Sequence, residues 1–357
     1  MPGLDLLRIV AGLGLLVCHA GFWLAPFRLP DTLWMLIGHS CVELFLVSFG
    51  FLLAHRAFRS TDPPDVVRSW ARSAMRIWPL YVLFLLCNLA LWGDRTPQPS
   101  WFEYLTLTQN LAWPHPEFFG EAWIVAAAAM IALIVPVACR ALHGRGFGAG
   151  LAWLLGLLVL TNALRALLVL AGDPSFDRGV RKILISRLDL PFYGMLVAWL
   201  WTHRHAAVVR WRGMLAVLAM VLLAATAAVH LIMPLDQSSV ARVLLFPLCD
   251  FAWVALLPWA CSLLVAEPVA GLAKGLAASA YAGLLTHVTA LRLVQARGLE
   301  MYASQTLAGM LTLASFVLLA AGVALLVSLA LDRPLLDMRE RWLARVPDHP
   351  VPVAERR

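Results

Sequence analysis

Charge is scarce in this sequence. Of 357 residues, 14% are Asp, Glu, Lys or Arg, where an ordinary soluble domain carries about a quarter. With 61% hydrophobic residues and a mean hydropathy of +0.79, a soluble globular domain is excluded. Cysteine pairing is missing as well. Cys18, Cys41, Cys87, Cys139, Cys249 and Cys261 are scattered through apolar segments with no CxxC, so neither a disulfide framework nor a metal site is indicated and packed free thiols are expected. P-loop, GxSxG, HExxH and dinucleotide-binding signatures are all absent, which removes the chemistries those motifs serve. The chain has no internal repeat or inverted symmetry, which argues against a secondary transporter. Nor is any hydrophilic stretch long enough for a second domain, so the working residues are expected within the membrane.

Apolar stretches are abundant. They run at 4–25, 33–54, 77–93, 122–139, 148–171, 188–202, 213–233, 243–266, 276–294 and 306–331. Against the ~20 residues a span needs, they predict an all-α, polytopic membrane protein with about ten transmembrane helices, the third and sixth being the shortest. The first stretch is too long for a signal-peptide core and reads as an uncleaved anchor. The net charge of +7 is sorted by loop and not gathered in one patch, as the positive-inside rule requires. A membrane, with no nucleic-acid partner, accounts for it. The most basic stretches, 55–76 and the tail after 331, are expected on one side, with an even number of spans between them. Eight spans and cytoplasmic termini satisfy this. The domain division is then a transmembrane unit over 1–335 and a basic cytoplasmic tail over 336–357. Trp101, Phe102, Tyr104, Trp113, Phe118 and Phe119, set among prolines, give the 94–121 loop the character of an interfacial segment.

Ionisable residues inside apolar stretches are costly and mark candidate sites. Arg8 and His19 are eleven residues apart in the first stretch. At ~100° per residue they face the same way, with backbones roughly 16 Å apart along the axis. A neutral imidazole at that depth can take a proton from an attacking hydroxyl, or it can simply hydrogen-bond a neighbouring helix. Arg8 can hold phosphates or snorkel to headgroups. Glu43 must pair or be protonated, and an ion pair with Arg8 or orientation of His19 are both open to it. Arg68, Arg72 and Arg76 are spaced four apart and share a helical face. That face suits either phosphate binding or a positive-inside anchor. His287 and Tyr281 in the ninth stretch, with Arg165, Asp250 and Arg292, complete the intramembrane set, and His230 falls near a span end.

Leu4-Asp5-Leu6-Leu7-Arg8-Ile9-Val10-Ala11 followed by His19-Ala20 resembles the opening of acyltransferase family 3, whose first helix carries an Arg and a His at this spacing. The likeness continues in order through Val42 to Val47 with Gly50-Phe51, Arg76-Ile77-Trp78-Pro79-Leu80-Tyr81, Arg187 to Phe192 with Gly194, Tyr281 with His287, and Asp332-Arg333-Pro334. The resemblance implies a multi-pass enzyme of a bacterial inner or plasma membrane. Such enzymes move an acyl group, commonly acetyl from acetyl-CoA, to a hydroxyl of a cell-envelope or exported glycan, free or lipid-linked. It also implies roles. His19 becomes the base, with Arg8 its partner or a donor-site residue and Glu43 a supporting carboxylate. Arg76, Arg72 and Arg68 receive the nucleotide part of the acyl-CoA donor. Tyr281, His287, Arg187 and Trp123 support the site or the acceptor. No permanently bound cofactor or metal is expected. The chain departs from the family pattern at Ser73, where an Arg is usual, at Phe49, where the family has Ser, and at Ala128, where it has Glu. Glu121 shares a face with Ala128 but is roughly 10 Å away along the helix, so it is not expected to replace that carboxylate. Two other functions remain to be distinguished: a flippase of a lipid-linked glycan, and a silent family member in an envelope-assembly complex.

Overall fold

The computed structural model describes residues 1–24, 30–92, 101–114, 119–296 and 306–345. Phe118 and the tail beyond 345 lie outside these residues. Thirteen α-helices and no strand occur among them. They are α1 (Pro2–Leu24), α2 (Asp31–Phe58), α3 (Val66–Trp92), α4 (Trp101–Thr106), α5 (Ala122–Leu142), α6 (Phe147–Gly172) and α7 (Leu190–His203). After these come α8 (His205–Ile232), α9 (Ser239–Cys261), α10 (Glu267–Ala278), α11 (Ala280–Ala296), α12 (Thr306–Val327) and α13 (Arg333–Arg345).

The expectation of about ten spans is revised. Among the described residues, eight helices are long and apolar enough to cross a membrane, and a ninth arises if α10 and α11, bent by 53°, count as one. The stretch at 188–202 forms α7, whose 14 residues reach only about 21 Å at the α-helical rise. Leu190 to Trp199 are buried without interruption, as a helix apolar all round requires. α7 is thus a central post that other helices screen from lipid. Where it crosses α2, the two backbones touch. A Cβ on Gly194 would stand 2.4 Å from the Phe51 backbone nitrogen, so only glycine permits the crossing.

The layers follow from burial. In α5, 72% of the membrane-length window is buried, against 17% in the windows of α8 and of Gly309–Leu343. α2, α5, α7 and α9 form the interior, and α6, α8 and α12 turn large apolar faces outward. The segment beyond α3 folds as α4, fixed to α3 by Trp78 Nε1–H donating to the Leu105 carbonyl at 2.8 Å and Tyr81 Oη–H to that of Tyr104 at 3.0 Å. Trp101 and Phe102 project outward from it.

α12 runs into a π-helical turn, Ser328–Asp332, before α13. Pro334 has no N–H for the Ala330 carbonyl, and the local widening accommodates that loss. α13 then lies against α3. Arg76 Nη1 donates to Asp332 at 2.8 Å, and Arg68 Nη2 to the Leu343 carbonyl at 3.1 Å. The two most basic stretches therefore occupy one end of the molecule.

Candidate active site

His19 sits on α1 near the end remote from this basic surface. Its Nδ1–H donates to the Leu15 carbonyl one turn back, at 3.0 Å, which leaves the lone pair on Nε2. The ring of His287, from α11, meets it edge to face with centroids 4.8 Å apart. His287 is tethered in the same way, Nδ1 lying 3.0 Å from the Gly283 carbonyl and 2.9 Å from that of Leu284. Its buried Nε2 has no hydrogen-bond partner. Each helix thus supplies an acceptor that fixes its own histidine tautomer.

His19 opens on a cavity of about 560 Å³, within the roughly 300–1,000 Å³ of small-molecule sites. α1 contributes Leu15 and Cys18, α2 contributes Met35, Gly38, His39 and Val42, and α5 contributes Trp123 and Ile124. One wall is aromatic, with His39 and Phe176 stacked, His230 against both, and Phe246 packed behind His39 and Phe176. The rim comes from 176–182, where a π-turn presents Asp177, Arg178, Arg181 and Lys182 to the cavity, joined by Glu121 and Arg292.

The rim segment is held by its backbone. Phe176 N–H donates to Asp236 at 2.7 Å. Asn110 takes the Lys182 carbonyl through its side chain at 2.5 Å and accepts from Leu184 N–H at 2.9 Å. Within the rim, Asp177 accepts from Arg181 at 2.7 Å and from Lys182 at 2.6 Å, and the Arg181 guanidinium stands 5.0 Å over the Trp123 ring. Burial would raise the Asp177 carboxyl, but the two cations outweigh it and hold it down at about 2. Glu121 behaves oppositely. Burial pushes its carboxyl up to about 8 against the pull of its own N–H and of Arg292. Neither carboxyl oxygen has a hydrogen-bond partner beyond that backbone contact.

The structure gathers only part of the predicted site. His19 and Trp123 line the cavity, and His287, which does not, packs against the His19 ring. Arg8 does not line it. Arg8 is 3.6 Å from Asp5, among the groups of the basic end. Tyr281 is also there, its hydroxyl donating to the Ile77 carbonyl at 2.7 Å and its ring 5.5 Å from the Arg76 guanidinium. Of the three arginines on α3, Arg76 and Arg68 are engaged by Asp332 and Leu343, while the Nε of Arg72 is buried without a hydrogen bond.

Glu43 pairs with neither Arg8 nor His19. Both its oxygens accept from Arg187 at 2.7 Å. Asp250 lies 3.3 Å from the same guanidinium, and Asp189, 3.7 Å from Arg187 Nε, also receives Arg165 at 2.8 Å. These five groups are fully buried and clamp α2, α6, α9 and the lead-in to α7. Two contacts link them to the cavity wall: His39 Nε2 is 3.5 Å from Glu43, and the Arg187 guanidinium stands 4.0 Å over the Phe246 ring.

Several cavity residues were not selected from sequence. Asp177, Arg178, Arg181 and Lys182 carry no motif, and their density within six residues was the available signal. Glu121 was set aside as too far from position 128, yet it lines the cavity with His19 and Ala128 does not. The relevant distance was to α1, which spacing along α5 does not report.

No curated protein and no solved structure matches the chain. The family model described as an acyltransferase domain matches residues 1–333. With a buried imidazole opening on a ligand-sized cavity in a bundle of membrane-length helices, that match establishes that the chain belongs to acyltransferase family 3, as a membrane acyltransferase.

Proposed function

We propose that the protein is an O-acyltransferase that moves an acyl group, acetyl in the simplest case, from a CoA thioester to a hydroxyl of a cell-envelope or exported glycan. The observation that carries this reading is the tautomer of His19. Its lone pair is on the atom opposite the Leu15 tether, in the ring that lines the cavity. In the proposed reaction, Nε2 takes the proton of the acceptor hydroxyl as that oxygen attacks the thioester carbonyl carbon. The tetrahedral intermediate collapses with breakage of the C–S bond. The departing thiolate receives the proton from the imidazolium, so base and acid are one group. His287 packs against this ring and keeps it in place.

The donor is assigned to the basic end. Arg72 and Arg76 on α3, with Arg68 and Arg8, offer positive charge to the phosphates, and the ~16 Å from Arg8 to His19 suits a ligand with a charged head and a reactive thioester far from it. The acceptor is assigned to the cavity, through the rim at 176–182. On this reading the protein works in the bacterial inner or plasma membrane, alone or with envelope-assembly partners. Incubating the purified full-length protein with labelled acetyl-CoA and an envelope-glycan fraction tests the reading. A product heavier by one acetyl group is expected, and a glycan that is moved or bound but never esterified would sink it in favour of a flippase or a silent partner.

A further inference from the structure

Among the described residues lining the cavity, Arg178, Arg181, Lys182 and Arg292 supply positive charge, and Asp177 and Glu121 are the only carboxyl groups. One of those two holds its proton in the neutral range, because burial raises Glu121 to about 8. Asp177 is ionised but is shared between Arg181 and Lys182. The cavity is therefore cationic. Focusing by its low-dielectric walls strengthens that field relative to an open surface.

A second observation, independent of charge, points to a ligand. Both ring nitrogens of His230 lack hydrogen-bond partners, as does Nδ1 of His39. These side chains line the cavity and are 2% exposed. Buried polar groups are ordinarily satisfied, and an orphaned one costs about 1–3 kcal/mol. Here they line the same space as the cations.

We propose that the acceptor is an anionic hydroxyl compound, whose carboxylate or phosphate is held by Arg178, Arg181 and Lys182 while a neighbouring hydroxyl reaches His19. This rests on the acyl-transfer reading above and adds the chemical class of the acceptor. Arg181 is fixed over Trp123 and against Asp177, so it is already oriented when the anion arrives. Glu121, His39 and His230 are then available to the hydroxyls of the same ligand.

Three matched oligosaccharides test it, ending in glucose, in glucuronate and in glucose phosphate. Their binding to the full-length protein in phosphatidylcholine nanodiscs is measured without donor, and acetyl transfer is then measured with labelled acetyl-CoA. The charged ligands should bind at least tenfold more tightly than the neutral one, by a margin that shrinks as salt is raised. The glucuronate and phosphate arms show which anion is preferred. A triple Arg178→Gln, Arg181→Gln, Lys182→Gln variant should lose that margin. The triple Arg178→Lys, Arg181→Lys, Lys182→Arg variant should keep most of it, which separates charge from misfolding. Equal affinity for all three ligands overturns the proposal. So does a glutamine variant that keeps its full margin for the charged glycans, since the segment would then not hold the anion. Acetyl transfer to the neutral ligand at the charged ligands' rate removes this proposal alone, whereas tight binding with no transfer to any ligand removes the acyl-transfer reading too.

Discussion

Two polar centres are buried side by side in this bundle, and they are built on opposite plans. Around Arg187, carboxylates and guanidinium groups answer one another: Glu43 on two bonds, Asp250 and Asp189 close by, Arg165 closing the set. Around His19, imidazole nitrogens and carboxyl oxygens face an open volume with few partners. Intramembrane charge marks both. Charge pairing separates them: around Arg187 every charged group stands against one of opposite sign, although single atoms such as Asp250 Oδ1 lack a hydrogen bond, whereas around His19 unpartnered polar atoms line a ligand-sized space.

The sharpest test of that distinction is to damage each centre in turn. His19→Ala should lower acyl transfer by about 10²-fold to 10⁴-fold, the usual span for a positioned base, with an unchanged thermal midpoint. Near-normal turnover would remove the imidazole from the chemistry. Glu43→Gln should act the other way round, leaving Arg187 short of a counter-charge in the interior and costing about 3–5 kcal/mol, read as a large drop in the midpoint of the detergent-solubilised protein. If it folds normally but fails to transfer, the two centres are one.

Glu121→Gln probes the same contrast through pH. The folded protein binds the Glu121 proton more tightly than the unfolded chain does, with a value raised to about 8. Its contribution is therefore fully present below the ordinary carboxylate range and is lost as pH rises through about 8. The wild-type midpoint should fall across that window, and the glutamine variant should not show that part of the fall. The smallest effect is expected from Asp177→Asn. The Asp177 carboxyl, held down at about 2, stabilises the fold above its unfolded value and loses that contribution as pH falls toward 2. The variant should flatten the acid limb of the stability profile by lowering the midpoint modestly near neutrality, where the Asp177 contribution is present, and leaving it unchanged near pH 2, with a modest shift in acceptor KM.

Much of the architecture was legible in the sequence because apolar run length and helix length are nearly the same quantity in a membrane protein. The 188–202 stretch forms a short, protein-wrapped helix, which run length did not reveal, since hydropathy cannot tell a helix wrapped in protein from one wrapped in lipid. Arg8 and His19 do share a helix face, but a shared face is not a shared site. Eleven residues of rise place one among the groups of the basic end and the other at the cavity. Pairing across 144 positions, as between Glu43 and Arg187, leaves no local trace. Glu121 shows the same limit in reverse, since its place depends on how α5 packs on α2 and α3 and not on its offset from position 128.

The tether from His19 Nδ1 to the Leu15 carbonyl has a consequence for proton traffic. A histidine that relays protons needs both ring nitrogens, receiving on one and passing from the other. In this ring one nitrogen is permanently spoken for by the backbone, so the imidazole is a cul-de-sac. Whatever proton enters at Nε2 must leave by Nε2, into the same cavity. An acyl transfer run through it is proton-neutral toward the rest of the protein, and needs no wire leading to either side of the membrane.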